Sequence, residues 1–249
     1  MEELFFHVGK RSPDAPIEVY GCVTRGAAHS MGIPHTSVLL IPVTWDAQQG
    51  KPVIFVHKRS PFKATSPDSW DFCGGHLSFE EWHCKFLQNS LNGADLIERL
   101  SENTAVREAN EELKCTPVFQ FQSKHFHRFQ TVGFFTCDNK HARGHNVEYS
   151  TAFVVTVPNK HTVEVWDTDR EGERKLEVKS TTLETLLTQY KKSKEISGKA
   201  NKESNETNSE NEKFADGAGR ILDELLNDPN LKNEFENLIT SITKPSDVT

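Results

Sequence analysis

Glu108, Glu111 and Glu112 stand in the run Arg107-Glu108-Ala109-Asn110-Glu111-Glu112, at spacings i, i+3 and i+4. On an α-helix such positions share one face, because a turn takes about 3.6 residues. Three carboxylates so placed repel one another unless water or a cation lies between them. A hard, oxygen-preferring cation such as Mg²⁺ or Mn²⁺ is the natural neutraliser. A solvated helix face is the plain alternative, and the helix alone does not decide between the two. The stretch upstream favours the cation: Trp70-Asp71-Phe72-Cys73-Gly74-Gly75-His76 runs from a strand-like segment into a glycine turn. Gly74 and Gly75 let the backbone pass close to a charged group without side-chain clash.

Composition narrows the class. A chain of 249 residues suits one large domain or a domain with an appendage. With 35% hydrophobic and 26% charged residues it reads as soluble. The net charge of −7 argues against a bulk nucleic-acid binder, yet allows a small anionic substrate bridged by a cation. The cysteines (Cys22, Cys73, Cys84, Cys115 and Cys137) are odd in number and scattered, which suits reduced thiols in a cytoplasmic protein. They form no Cys-x-x-Cys pair, so a structural zinc site is not expected. The start lacks a signal-peptide core, and no apolar run reaches spanning length, so no membrane partner is expected.

Taken in order, Leu4–Val8 and Ile17–Thr24 read as strands around the turn residues Ser12-Pro13-Asp14. Residues 25–35 read as a loop with two histidines, His29 and His35, either bonding nearby backbone or bordering a phosphate or sugar pocket. Ser37–Thr44 and Pro52–His57 read as buried strands joined by Ala47–Gly50, with Pro42 better suited to an edge or bulge. The second strand runs into Lys58-Arg59-Ser60-Pro61-Phe62-Lys63, a solvated charge run or a phosphate contact. Phe79–Leu91 has amphipathic helical spacing. From Ala94 to Leu113 a long helix is predicted, its apolar stripe on a sheet and its carboxylates facing away, ended by Thr116-Pro117.

Val118–Gln122, Gln130–Cys137 and Glu148–Val157 read as strands, with a polar loop over 138–145. Val163–Asp167 and Lys175–Val178 are weaker strands, and Thr182–Tyr190 is a helix. Residues 191–213 are rich in Lys, Ser, Asn and Glu and read as a flexible polar loop. Two further helices follow, one capped by Asp216 and one by Asp228 with Pro229 in its first turn. Their apolar faces need a partner, either the main core or a second subunit in a homodimer.

The motif resembles the signature box of the Nudix hydrolase superfamily, G-x5-E-x7-R-E-U-x-E-E-x-G-U with U aliphatic. Gly75 and Glu81, then Arg107 to Glu112, carry the likeness. Lys58-Arg59-Ser60 resembles the basic exit of the family's preceding strand, and Glu148-Tyr149-Ser150-Thr151-Ala152-Phe153 a later strand. The resemblance covers residues 36–190 and implies an α/β fold, a Nudix-type α/β/α sandwich with a mixed sheet, here with added C-terminal helices. Residues 1–35 would be N-terminal strands and a loop packed on that core, and 214–243 the added helices. It also implies a hydrolase that cleaves a pyrophosphate bond in a nucleoside diphosphate derivative or similar diphosphate, using Mg²⁺ or Mn²⁺. Glu108, Glu111 and Glu112 would hold the cation and Arg107 would orient a glutamate one turn on. Arg59, Lys63, Gly74, Gly75 and His76 would meet substrate. The general base would be a box glutamate or Glu148.

The box departs from the family pattern. Glu81 and Arg107 are separated by 25 residues where the family has seven, so 18 are inserted within the segment 79–104. The first box glutamate is therefore open between Glu81 and Glu98. Lys114 and Cys115 replace the closing glycine and aliphatic residue. Two other readings stand beside the hydrolase. An isopentenyl-diphosphate isomerase-like enzyme needs a cysteine where Gly74 stands, with Cys73 one residue early. A non-catalytic ligand-sensing or protein-binding module would have little use for three clustered acids.

Overall fold

The computed structural model describes residues 3–12, 14–63, 65–78, 93–137, 146–158, 162–169, 172–200 and 213–245. Its architecture is a mixed α/β sandwich, built around one strand. That strand, β3 (His35–Asp46), is buried over its first nine residues. It pairs antiparallel with β1 (Leu4–Gly9), β4 (Lys51–Lys58) and β6 (Cys73–His76), and parallel with β9 (Asn146–Thr156). A strand apolar on both faces belongs in the middle of a covered sheet. Val38 and Leu40 point to one hydrophobic cluster, Leu39, Ile41 and Val43 to the other. Pro42 lies inside this central strand rather than at an edge. It falls between the residues paired to β6, which end at Leu40, and those paired to β4, which begin at Val43, where no antiparallel rung needs its N–H.

The nine-stranded sheet is completed by β2 (Glu18–Thr24), β5 (Trp70–Asp71), β8 (Phe126–Cys137) and β12 (Val178–Thr181). Helix α2 (Gly93–Glu112) covers one face, burying Leu96, Ile97, Leu100, Ala105 and Ala109 against Leu40 and Phe153. The other face is covered by α3 (Leu183–Ala200), α4 (Asp216–Asn227) and α5 (Pro229–Thr243). Leu186, Ile221, Leu222, Leu225, Phe235 and Ile239 are almost wholly removed from water there. The main core is thus the partner of the C-terminal helices. A small sheet of β7 (Leu113–Thr116), β10 (Thr162–Asp169) and β11 (Gly172–Lys175) flanks the end of α2. Among the described residues no helix is long and apolar enough to cross a membrane.

Several segments differ from their sequence-based expectation, each for a local reason. Residues 25–31 form α1 (Arg25–Met31), not a loop. Thr24 caps it by accepting from Ala27 N–H at 3.2 Å, and Gly32 ends it with φ 65°. The long helix stops at Glu112, and Leu113–Thr116 is strand β7, bonded to β10. The expected strand at 118–122 is irregular, because the chain makes its ladder one step earlier. The expected strand at 175–178 is split between β11 and β12, which pair with different partners. Residues 191–200 continue α3 rather than opening a loop. Helix α4 starts at Asp216 itself, with Ala215 as a cap that has no side-chain acceptor. Asp228 does cap α5, accepting from Asn230 and Leu231 N–H. The helix expected over 79–91, the loop over 138–145, the remainder of the expected polar loop over 201–212 and Glu81 lie outside the described residues.

Candidate functional site

Strand β6 and the C-terminal turn of α2 meet over β3, and this junction opens a cleft of about 370 Å³. The glycines permit the approach. A Cβ on Gly75 would lie 1.9 Å from Glu108 Oε1, and one on Gly74 would lie 2.1 Å from the Val38 carbonyl oxygen. Gly74 also has φ +153°, a backbone state that L side chains rarely adopt. Glu108 is therefore not on a solvated face as the helix period predicts; only 8% of it is exposed, tucked against the turn.

Of the three box carboxylates, Glu108 and Glu112 line the cleft. Glu112 accepts from Gly74 N–H at 3.2 Å. Glu111 stands outside at the rim, more than half exposed, and is paired with Arg107 at 2.9 Å. Arg107 also pairs with Glu108 at 2.8 Å and donates to the His76 carbonyl at 3.3 Å. One guanidinium thus ties helix to turn. Glu98 faces elsewhere, paired with Arg128.

Burial acts on these carboxyls directly. It raises the Glu108 pKa, against the pull of Arg107. It pushes Glu112 up to about 8, helped by the charge of Glu108 and only partly offset by the Gly74 N–H. Two buried acids side by side form a donor set suited to a hard divalent cation.

Glu148 sits on the opposite wall, brought there by the parallel register that pairs it with His35. Burial alone would raise its carboxyl as well. The contact and charge of His76, with the Ser37 hydroxyl, outweigh this and hold it well below the ordinary range. Ser37 Oγ donates to Glu148 Oε2 at 2.7 Å, Asn146 Nδ2 donates to Oε1, and His76 Nε2 stands 3.5 Å from Oε1. Arg59 and Lys63 line a further wall, each already engaged: Arg59 with Asp71 at 2.6 Å, Lys63 with Asp167 at 2.8 Å. Of the site residues named from the sequence, Arg59, Lys63, Gly74, Gly75, His76, Glu108, Glu112 and Glu148 line one cleft; Arg107 adjoins it through Glu108 and the His76 carbonyl, and Glu111 only through Arg107.

One feature of the site was not anticipated as a unit. His29 on α1, His35 at the start of β3 and His76 at the end of β6 place donor nitrogens within 4.8 Å of one another. The Nε2 atoms of His29 and His35 are buried and make no hydrogen bond, while that of His76 faces Glu148 Oε1 at 3.5 Å. The rings lean on Phe5, with His76 stacked on it at 4.3 Å. His35 Nδ1 contacts the Ile33 carbonyl at 2.9 Å, so its backbone bond and its place beside the pocket coexist. Burial, then the neighbouring His76 charge, lowers His29 and His35 to about 4, leaving neutral imidazoles with open lone pairs. A nitrogen donor set of this kind suits a transition metal. His29 and His35 come from adjacent elements, but His76 comes from a separate later strand, so no single spacing announces the set.

Cys73 lies behind the turn, 2% exposed, with Sγ 3.7 Å from His57 Nδ1. Burial, then the charges of Glu112 and Asp71, hold its thiol well above the ordinary value. It remains protonated and is not among the residues lining the cleft.

No protein-family model matches the chain, and no curated protein does. Solved structures do resemble it. A NUDIX hydrolase from Alicyclobacillus acidocaldarius is 12% identical with TM-score 0.44, over 85% of this chain and 97% of that one. A MutT/nudix family protein from Enterococcus faecalis is 10% identical with TM-score 0.41, over 84% and 67%. The NUDIX domain of Shewanella oneidensis NrtR, solved with ADP ribose, is 16% identical with TM-score 0.35, over 61% and 75%. Likenesses of this depth assign no activity to the chain.

Proposed function

We propose that the protein is a divalent-cation-dependent hydrolase that cleaves the pyrophosphate bond of a nucleoside diphosphate derivative or similar diphosphate. The observation that carries this reading is the placing of two carboxyls raised by desolvation, Glu108 and Glu112, in one cleft with Glu148, whose carboxyl is held well below the ordinary range. Glu108 and Glu112 hold Mg²⁺ or Mn²⁺, and Arg107 sets their orientation. The cation supplies neutralisation of phosphate charge and activation of water. Glu148, fixed by Ser37, Asn146 and His76, stays ionised and can orient the attacking water by accepting a hydrogen bond from it. Arg59 and Lys63 present cationic edges toward phosphate oxygens from the facing wall. Gly74 and Gly75 keep the turn thin enough for the diphosphate to approach. The histidine set offers a second cation position beside Glu148, one with nitrogen rather than oxygen donors.

The isomerase reading is disfavoured because Cys73 is buried, protonated and away from the cleft lining. A screen of nucleotide sugars, dinucleoside polyphosphates and small diphosphates with Mg²⁺ and Mn²⁺, read as phosphate or monophosphate release, tests the hydrolase. Turnover that falls at least a hundredfold in Glu112→Gln supports it. No turnover of any compound, with nucleotide binding retained and indifferent to Glu111→Gln, makes the protein a ligand-binding module instead.

A further inference from the structure

Two walls of the cleft are held in place by different means. One is the first turn of α4, where Asp216 and Gly217 line the cavity. Backbone bonds fix it: Trp70 N–H donates to the Lys213 carbonyl at 2.7 Å and Ala215 N–H to the Trp70 carbonyl at 2.9 Å. The wall that carries Arg59 and Lys63 is a turn, closed by Lys63 N–H on the Ser60 carbonyl at 3.1 Å. Its near end is fixed by Arg59, whose N–H donates to the Ser69 carbonyl at 2.9 Å and whose side chain pairs with Asp71. Its far end is held by side chains of the small sheet.

Two contacts do this, on consecutive residues of the turn. Asp167 on β10 pairs with Lys63 Nζ at 2.8 Å, and Arg174 on β11 lies over the Phe62 ring at 4.7 Å. Asp167 and Arg174 are themselves partners in the β10–β11 ladder. Partners in an antiparallel ladder project to the same side of the sheet, so one cross-strand pair grips two neighbouring residues. The grip also reaches the cation end. Val165, two residues before Asp167 and on the same strand face, pairs with Leu113, which directly follows Glu112. Val165, Asp167, Lys63 and Glu112 line one side chamber of about 50 Å³ that shares Lys63 and Glu112 with the main cleft.

A long cationic side chain that binds an anion loses rotamer freedom in doing so. Lys63 is already placed: its side chain is 30% exposed and that of Asp167 only 11%. An ammonium carries three hydrogens, so it can keep Asp167 and still donate to a phosphate oxygen. We infer that Asp167 and Arg174 are positioning residues for the diphosphate, on the reading above that Lys63 meets it. They set the Phe62–Lys63 turn against the cleft and preorganise the Lys63 ammonium before substrate arrives. Through β7 they also tie that ammonium to the carboxylates at the end of α2. A residue that merely neutralised Lys63 would act with the opposite sign, since its removal would strengthen the pull on phosphate.

Calorimetric binding of imidodiphosphate, whose bridging nitrogen resists hydrolysis, to the full chain at saturating Mg²⁺ reads that sign. Asp167→Asn is expected to weaken binding about tenfold, Asp167→Glu to recover most of the loss, and Arg174→Leu to weaken it about threefold. Lys63→Met is expected to weaken it too, and in that background Asp167→Asn adds nothing. A general loss of structure would instead add the same penalty in either background. Tighter binding in Asp167→Asn, unchanged binding, or equal loss with and without Lys63 each overturns the inference. Turnover of diphosphates by the wild type is scored separately. Coupling between Asp167 and Lys63 without turnover counts against the hydrolase reading alone, and turnover without coupling against the positioning role alone.

Discussion

The two ends of the cleft answer burial in opposite ways. At the carboxylate end, removal from water pushes Glu112 up to about 8 and Glu108 above its ordinary value, so each acid resists ionisation. At the histidine end, the same removal lowers His29 and His35 to about 4, so each base stays neutral. Neither end is comfortable alone. The first has oxygen donors that a hard cation would stabilise as carboxylates. The second has nitrogen lone pairs with no proton to accept from the protein. Glu148 lies between them and differs from both, because His76, Ser37 and Asn146 satisfy its charge. The lesson is that donor type, not depth, separates the roles of the three sites.

The largest test of this division is Glu112→Gln, expected to lower Mg²⁺-supported hydrolysis by about 10²–10⁴-fold, measured as initial rates at saturating cation. An unchanged rate would move the reaction to the histidine end. Next comes Gly75→Ala. Its Cβ would overlap Glu108 Oε1, so activity should fall about a hundredfold, with a loss of about 1–3 kcal/mol in urea unfolding. Retained activity would mean that Glu108 can leave the turn without consequence.

The pH dependence of metal-free stability should carry both signatures at once. Glu112 binds its proton more tightly folded than unfolded, about 8 against 4.5. Its contribution is complete below 4.5 and is lost as pH rises toward 8, up to about 5 kcal/mol in all. His29 and His35 shift the other way, from 6.5 to about 4, so their contribution is present above 6.5 and lost as pH falls toward 4. Urea unfolding from pH 4 to 9 should show both declines. Glu112→Gln should flatten the alkaline side alone, and the double variant His29→Gln with His35→Gln the acid side alone. The smallest effect expected is in His35→Ala, which should weaken Co²⁺ or Zn²⁺ binding by about tenfold, read by Co²⁺ absorption, and leave Mg²⁺ dependence nearly intact.

The fold and the carboxylate end were largely readable in the amino-acid order. A run such as Val38-Leu39-Leu40-Ile41 declares a strand covered on both faces, and Gly74-Gly75 with Arg107–Glu112 declares the turn and helix that must meet. Three things were hidden. Helix α1 has only seven residues and a single fully buried one, Ala28, so its periodicity is too short to read, although Thr24 and Gly32 were the caps in plain view. Residues 191–200 have little apolar content, and the helix that extends through them continues from the buried face of Leu183–Tyr190. The histidine set forms because β6 pairs with β3 in fixed register while α1 leads into β3, a relation that residue spacing does not encode. His76 reads from the sequence as a substrate contact beside two glycines; its membership in a set of three imidazoles appears only in the fold.

The backbone bonds between Trp70 and residues 213–215 have a consequence for how the protein is made. They tie a segment near the middle of the first half to one that the ribosome delivers much later. Until α4 is out, the cleft lacks a wall and Leu39, Ile41 and Val154 lack their cover. A nascent chain can form the glycine turn early, yet its pocket takes shape only once Asp216 and Gly217 arrive. Delivery of α4 is thus the step that closes the pocket.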